Sequence, residues 1–345
     1  MHTRQNIEYQ LAPLAGFTFA PFRLLCTRRG ASLTYTEMVS AAGLAHGSSP
    51  TRHLMELLPG EGPVACQIFG ADPGELAFAA AEADKLGRFT EINLNAGCPM
   101  PKIVREGAGA ALLRSPPMVH KCLRAIREAT SLPVTLKTRP GPRPDAVLAG
   151  ELLDAAETAG CSAFIIHGRF TSQMHGGPVH YDLLAEIVQR AKIRVVGNGG
   201  VYNIPTAKRM AETGVDAIMV GRAALANPWL FSDLRKDDPP EVLEAPERRR
   251  QLQNAAFADH LALLIEYQAQ LERNFPQDHV PGVDGCVSMA ARTHLFRYFN
   301  GRPGSAELRR RLNDVHTLAE LMAAVAPLMD ETTASAGNAP PQPRR

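Results

Sequence analysis

The amino-acid sequence predicts the α/β fold class: a (β/α)8 TIM barrel followed by a C-terminal all-α helical domain. Three observations carry this expectation. Strand-like and helix-like segments alternate strictly through residue 230. Eight of the strand-like segments turn from apolar to polar at their C-terminal ends. Beyond residue 230 the texture changes to a charged, proline-containing linker, DLRKDDPPEVLEAPERRR, and then to long helical periodicity.

In order, the strand-like segments are YQLAP (9–13), LTYTEM (33–38), VACQIF (64–69), FTEINLN (89–95), PVTLKTR (133–139), AFIIHGR (163–169), IRVVGNG (193–199) and AIMVGR (217–222). Each combines apolar or β-branched residues with flanking Gly, Pro or charge. The clearest helical segments between them cover 73–87, 117–129, 145–160, 182–191 and 204–214, and several close on Gly, as helices often do. Alternation of this kind implies a parallel sheet, and eight repeats in such a span suit a closed barrel, for which ~250 residues is typical. Parallel strands buried on both faces should stay apolar until they reach a rim. Here the exits are Pro13, Glu37, Gln67, Asn95 with Cys98, Lys137 with Arg139, His167 with Arg169, Asn198 with Gly199, and Gly221 with Arg222. One Lys or His at a strand end is as readily an ordinary solvated terminus; the set together points to a site on the barrel's active face. An open doubly wound sheet would instead concentrate its chemistry at one switch point. The expected division is a barrel over 1–240, a helical domain over 241–330 and a disordered, low-complexity tail over 331–345. Within the helical domain, helices are expected over 246–272, 285–299 and 305–328.

Of the 345 residues, 45% are hydrophobic and 21% charged, and the formal charge is +2, so any basic binding surface has to be local. Six cysteines are scattered with no C-x-x-C pair and no Cys/His cluster of zinc spacing. That usage suits a reducing compartment, and no metal centre is expected. MHTRQNIEYQ lacks the apolar stretch of a signal peptide, and no apolar run approaches the ~18 residues of a membrane span. A cytoplasmic protein without membrane contact is therefore expected, and a monomer is taken as its state.

The rim residues suggest particular chemistry. GNGG (197–200) and VGR (220–222) end the seventh and eighth strands, where glycines let backbone N–H groups approach an anion and the barrel's usual phosphate site lies. Arg222 and His167 could donate to the same phosphate. Lys137 lies on the far side of that cradle. It could set a fixed cation against the electron-rich edge of a reduced flavin, or form a Schiff base, for which Arg139 could lower its pKa; the residues alone leave both uses open. Gln67, with a donor and an acceptor, suits a mixed flavin edge. Cys66, Cys122 and Cys161 sit inside strand or helix patterns and read as small buried hydrophobes. Cys98, between Gly97 and Pro99 on a loop, does not.

The stretches LAPLAGFTFAPFR (11–23), TEM (36–38), QIFG (67–70), INLNAGCPMPKI (92–103), GAGAALL (107–113), PVTLKTR (133–139), IIHGR (165–169), VVGNGGV (195–201) and DAIMVGRAALANPWLF (216–231) resemble those of the FMN-dependent dihydrouridine synthases, which reduce uridine in transfer RNA. The resemblance runs through the barrel and continues more weakly into the helical domain. It implies that Cys98 protonates C5 of uracil while hydride reaches C6, a task for a thiol that keeps its proton, as one with an ordinary pKa of about 8.5 does at neutral pH. It further implies that Pro13, Leu14 and Ala15 line FMN, that Gln67 and Lys137 bind its ring, and that His167, Asn198, Gly199, Gly200, Gly221 and Arg222 hold its phosphate. Asn95 and Arg139 would face the uracil, and NADPH would be the reductant. Four positions depart from the family pattern: Leu14 stands for Met, Phe19 for Asp, Met174 for Tyr and Gly200 for the Asp of GNGD.

A base in folded RNA must leave its stack to reach a barrel mouth, and the helical domain is the natural source of backbone contacts. Across 241–330 acids slightly outnumber bases, yet within 285–312 six arginines (Arg292, Arg297, Arg302, Arg309, Arg310, Arg311) face one acid, Glu307, with Phe296, Tyr298 and Phe299 interleaved. Guanidinium groups on phosphates with aromatics stacking on bases would suit RNA; a helix with an aromatic core face and a solvated basic face fits the same letters. The family resemblance favours RNA, with Arg292 and Arg297 as contacts. Two other functions remain conceivable on the residues: a small-molecule flavin barrel of the dihydroorotate dehydrogenase kind, and an RNA-binding module without redox activity.

Overall fold

A computed structural model of the chain describes residues 7–236, 238–278 and 280–329; the tail expected over 331–345 lies outside them. The chain divides into two compact units, with the boundary between Ala245 and Pro246.

The first unit has nine strands among the described residues: β1 Glu8–Leu11, β2 Thr34–Tyr35, β3 Val39–Ser40, β4 Val64–Phe69, β5 Glu91–Ala96, β6 Val134–Thr138, β7 Ala163–His167, β8 Arg194–Asn198 and β9 Ala217–Val220. Every ladder is parallel, in the order β1-β9-β8-β7-β6-β5-β4-β2, with β3 also on β4. A parallel bridge between Gln10 and Leu33, with Leu11 N–H donating to Leu33 O at 2.9 Å, joins the two ends. The result is a closed barrel of eight staves, the second of which is shared by β2 and β3.

That second stave differs from the single strand expected over 33–38. Thr34 pairs with Val64, but Val39 pairs with Ile68, so five steps along one chain oppose four along the other. The extra residue is a bulge. The Thr36 hydroxyl takes over from the interrupted ladder by accepting the Gln67 N–H at 2.9 Å. Just beyond, the Glu37 carboxylate accepts from Gly16 N–H at 2.6 Å, tying the loop after β1 to the second stave.

Side-chain alternation divides the barrel interior. One part is apolar, built from Ala12, Tyr35, Ala65, Ile165, Val196, Ala217 and Met219. The part lined by β4, β5 and β6 carries Gln67, Asn93, Asn95 and Thr135, all buried. Outside, helices Pro73–Lys85 and Pro116–Ala129 bury Leu76, Ala79, Ala80 and Ala83, and Val119, Cys122, Leu123 and Ile126, the spacing of one helical face. Each fully buried Leu or Ile contributes about 1.5–3 kcal/mol relative to exposure. Asp72 and Ser115 cap these helices by accepting from Glu75 N–H and Met118 N–H. Helix Ala20–Arg28 has Phe19 at its cap position and no side-chain cap; it is fastened instead by the fully buried Arg23, which pairs with Glu61 at 2.9 Å and donates to the Thr18 and Glu56 carbonyls.

The second unit comprises helices Pro246–Asn274, Val283–Thr293, Ser305–Arg311 and Leu318–Met329, with a 3₁₀ turn at Leu295–Phe299. Two expectations are corrected here. The helix expected over 285–299 stops at Thr293, and the turn that follows carries Tyr298 and Phe299 wholly into the core, where the Tyr298 hydroxyl meets His260 Nδ1 at 3.0 Å. The helix expected over 305–328 is two helices. Val315 is extended, and a new start is made by Thr317 and Glu320, each accepting the other's backbone N–H.

Candidate active site

Cys98 follows β5 at the C-terminal rim, and its loop is held on three sides. From below, Asn95 Oδ1 accepts both Gly97 N–H (3.1 Å) and Cys98 N–H (3.0 Å). From the side, Arg139 Nε donates to Gly97 O at 2.9 Å. Beyond the loop, Ala110 N–H donates to Cys98 O at 2.9 Å. Gly109 makes that approach possible: at φ +57° a Cβ there would meet Cys98 O at 2.7 Å. Of the six thiols only Cys98 is partly exposed, packed beside Phe69, Ile103, Ala108 and Met38. Burial pushes Cys66 and Cys161 up to about 12, and Cys122 and Cys286 up to about 11, which keeps them inert.

Lys137, on β6, reaches across to Asn198 Oδ1 at 3.1 Å, and Asn198 Nδ2 donates to Met219 O at 2.8 Å, which orients its amide. Around Lys137 lie Arg139, His167, Arg169, His175 and Arg222, and none of these six forms an ion pair with a described carboxylate. Their charges act on one another instead. Burial, then the Arg139 cation, brings Lys137 down to about 7. Burial, followed by Lys137, Arg139, Arg169 and His175, holds His167 well below the usual imidazole range. Burial and Arg222 likewise lower Arg169 and His175. His167 Nδ1 is buried without a hydrogen-bond partner. A site built of mutually repelling cations and an orphaned ring nitrogen is complementary to an anion. Gly199 (φ +113°) and Gly200 (φ +72°) complete it: a Cβ at Gly199 would press on the His167 ring at 3.1 Å, and one at Gly200 would meet Val179 Cγ2 at 2.8 Å. Gly221 leads into a 3₁₀ turn, Arg222–Ala226, rather than a full helix, so the anion site rests on side chains and loop amides more than on a helix dipole.

Other residues expected at the site are placed as follows. Pro13, Leu14 and Ala15 form the turn after β1, where the Thr18 hydroxyl accepts Leu14 N–H at 3.0 Å. Gln67 is fully buried; its Nε2 donates to Asn93 Oδ1 at 2.7 Å and its Oε1 accepts from Asn95 Nδ2 at 3.0 Å, leaving one amide hydrogen and one lone pair. Asn95 has nothing left for a base. Its oxygen takes two N–H groups, and its Nδ2 serves Gln67 and Met38 Sδ (3.2 Å). Arg139, 3% exposed, points its Nη1 at the carbonyls of Arg169 (3.2 Å), Phe170 (3.2 Å) and Met174 (2.8 Å), so it clamps loops rather than facing outward. In the second unit Arg292 bonds Ser288 Oγ and Val315 O, Arg302 is buried, and Arg297 and Arg309 flank the Phe296 ring at 5.0 and 4.9 Å. Phe296, Tyr298 and Phe299 are buried, which removes them as platforms for stacked bases.

Arg169, expected as a strand exit beside His167, and His175 complete the cluster. His175 was not singled out by the sequence; its loop brings it in, where Arg222 Nη2 donates to His175 O at 3.1 Å. Met174, the one non-glycine residue with positive φ among the described residues (φ 52°, ψ −102°), sits in that loop.

A closed parallel barrel with a partly exposed thiol and an anion-receptive cluster on its C-terminal rim is the arrangement of a barrel enzyme. The family model described as dihydrouridine synthase (Dus) matches residues 10–333, and the chain belongs to that family. It is 35% identical over 305 residues to tRNA-dihydrouridine synthase B of Pseudomonas aeruginosa, covering 88% of this chain and 87% of that one. The protein of the same name from Xanthomonas axonopodis pv. citri is 34% identical over 89% of this chain and 88% of its own. That from Escherichia coli is 37% identical over 66% of this chain and 73% of its own.

Proposed function

We propose that the protein reduces the C5=C6 bond of uridines in tRNA, holding FMN at the barrel rim and drawing on NADPH. The observation that carries this reading is the pairing of Cys98, the only partly exposed thiol, with a neighbouring cation cluster that no described carboxylate neutralises. The relatives' names supply the substrate class.

The residues present suit a flavin phosphate. His167 Nδ1 lacks a partner, Arg222 and Arg169 bring donors and charge, and Gly199 and Gly200 open the backbone to close approach. Pro13, Leu14, Ala15, Gln67 and Lys137 would lie along the ring. When bound, FMN supplies the hydride that uracil C6 receives. Cys98 gives its Sγ proton to C5, so that one hydride and one proton complete the saturated bond, and the thiolate regains its proton from solvent. Lys137, brought to about 7 by burial and Arg139, takes up a proton readily once negative charge enters beside it.

The helical unit is the natural RNA contact, through the exposed Arg309, Arg310 and Arg311 rather than through buried aromatics. No described helix is long and apolar enough to cross a membrane, and a cytoplasmic enzyme acting on tRNA is the reading adopted.

Cys98→Ala tests it. General acids contribute about 10²–10⁴-fold, so this variant is expected to keep its flavin and lose at least about 10²-fold in tRNA reduction when exogenous thiol is excluded. Undiminished turnover would refute the proton-donor role. Mapping dihydrouridine in RNA from cells with and without the gene then identifies the uridine.

A further inference from the structure

Barrel interiors are ordinarily filled by branched apolar side chains. Here a single file of polar groups runs through β4, β5 and β6. Cys98 N–H donates to Asn95 Oδ1, Asn95 Nδ2 to Gln67 Oε1, Gln67 Nε2 to Asn93 Oδ1, Asn93 Nδ2 to Thr135 Oγ1, and Thr135 Oγ1 to Glu91 Oε1, at 3.0, 3.0, 2.7, 2.8 and 3.1 Å. Every bond points the same way. The polarity is imposed at the rim, where the backbone N–H groups of Gly97 and Cys98 can only donate, and Glu91 accepts at the other end when ionised, a state that burial disfavours and that the Thr135 hydroxyl and the Arg194 charge favour. Between them, turning any one amide over would set donor against donor and acceptor against acceptor at once, in surroundings where unpaired polar groups are expensive.

We infer that Asn93, Thr135 and Glu91 are positioning residues for Cys98: the column locks the Asn95 amide in the one orientation that holds the Gly97–Cys98 turn, and so fixes where the thiol is presented. Thr135 is two residues below Lys137 on β6, about 7 Å deeper in the barrel, and among the described residues its hydroxyl bonds only to Asn93 and Glu91. Asn95 then acts in the site chiefly through this lock, and Gln67, beside its place along the flavin ring, is one of its links. The inference rests on the reading of Cys98 as proton donor.

Thr135→Val keeps the shape and cuts the column; Thr135→Ser keeps the hydroxyl. Cys98 is the one partly exposed thiol, so iodoacetamide labelling of the resting protein reports its presentation independently of turnover. In Thr135→Val, labelling is expected to speed up about threefold or more, and kcat for tRNA to fall about tenfold, with KM and flavin content unchanged. Thr135→Ser should behave as wild type. Asn93→Leu, similar in size and apolar, cuts the next link and should speed labelling in the same way, which covers the case in which Thr135→Val does not fold. Wild-type labelling and kcat in the folded Val or Leu variant would overturn the inference. Faster labelling with unchanged kcat would sustain the column and overturn the proton-donor role instead.

Discussion

Arg139→Lys separates a clamp from a mere positive charge. One guanidinium joins the Cys98 loop, at Gly97 O, to the loop after β7, at the carbonyls of Arg169, Phe170 and Met174. Nε serves the first, and Nη1 is shared among the other three. A lysine keeps the charge but offers one nitrogen on a stem that cannot fork, so it can hold one loop and not both. Counting the shared contacts as one or two bonds, and a hydrogen bond from a charged donor as about 1.5–3 kcal/mol, the substitution is expected to cost about 3 kcal/mol. For a unit of this size about 2–4 °C accompanies each kcal/mol, so Tm should fall by roughly 6–12 °C. Thermal unfolding of the wild type and variant measures this, and limited proteolysis should reveal new cleavage between Arg169 and Val179. A variant melting within about 2 °C of wild type, uncut in that segment, would refute the clamp, because that margin is below the worth of a single such bond.

Two further outcomes follow from the rim. Lys137 is held at about 7, below its unfolded value, so the unfolded chain binds more protons between pH 7 and about 10.4, and the stability of the anion-free protein should rise with pH across that window. An anion in the cluster restores the proton. Inorganic phosphate should therefore stabilise the protein more at pH 6 than at pH 8, and Lys137→Met should flatten both trends in a Tm-versus-pH series; identical slopes in the two proteins would contradict the assignment. Met174 holds φ 52° and ψ −102°, a strain of about 1–3 kcal/mol for a residue with a Cβ. Met174→Gly relieves it at an entropic cost of about 0.5–1 kcal/mol, so urea unfolding should show a net gain of about 1 kcal/mol, and a loss would mean that the side chain itself packs.

The barrel was legible because its strands are mostly apolar and alternate with helical segments, although Gln67, Asn93 and Thr135 lie inside β4, β5 and β6 rather than at their exits. VACQIF matches β4 residue for residue, and every other expected strand overlaps an observed one. The bulge in the second stave was hidden because the expected strand LTYTEM reads as continuous, and an inserted residue shows only against a partner. The rim side chains were legible by type; what they do with their hydrogen bonds was not. Asn95 and Arg139 look like free recognition groups until the topology brings in the turn and the carbonyls that occupy them. RTHLFRYF fits a stacking platform and a core segment equally, and only packing against His260 and Phe257 decides for the core. The restart at Thr317 was there to be read, since T-L-A-E is a capping box. The apolar series Leu312, Val315, Leu318, Leu321 runs across the break in near-helical steps and masked it.

Two departures from the family pattern, Met174 and Gly200, belong to one piece of structure. The loop from Phe170 to Val179 is pulled inward at Met174 O by Arg139 and at His175 O by Arg222, and it closes with Val179 against Gly200. With Val179 in that place, a Cβ at position 200 would meet its Cγ2 at 2.8 Å, so a carboxylate there requires the Val179 side chain or its loop to shift. Arg169, whose Nη2 lies 3.8 Å from the point a Cβ at 200 would occupy, consequently keeps its charge uncancelled. The glycine and the strained methionine thus share a single loop position, and a side chain added at position 200 alone would meet Val179, whereas Met174, exposed on the same loop, can be trimmed without opening the core.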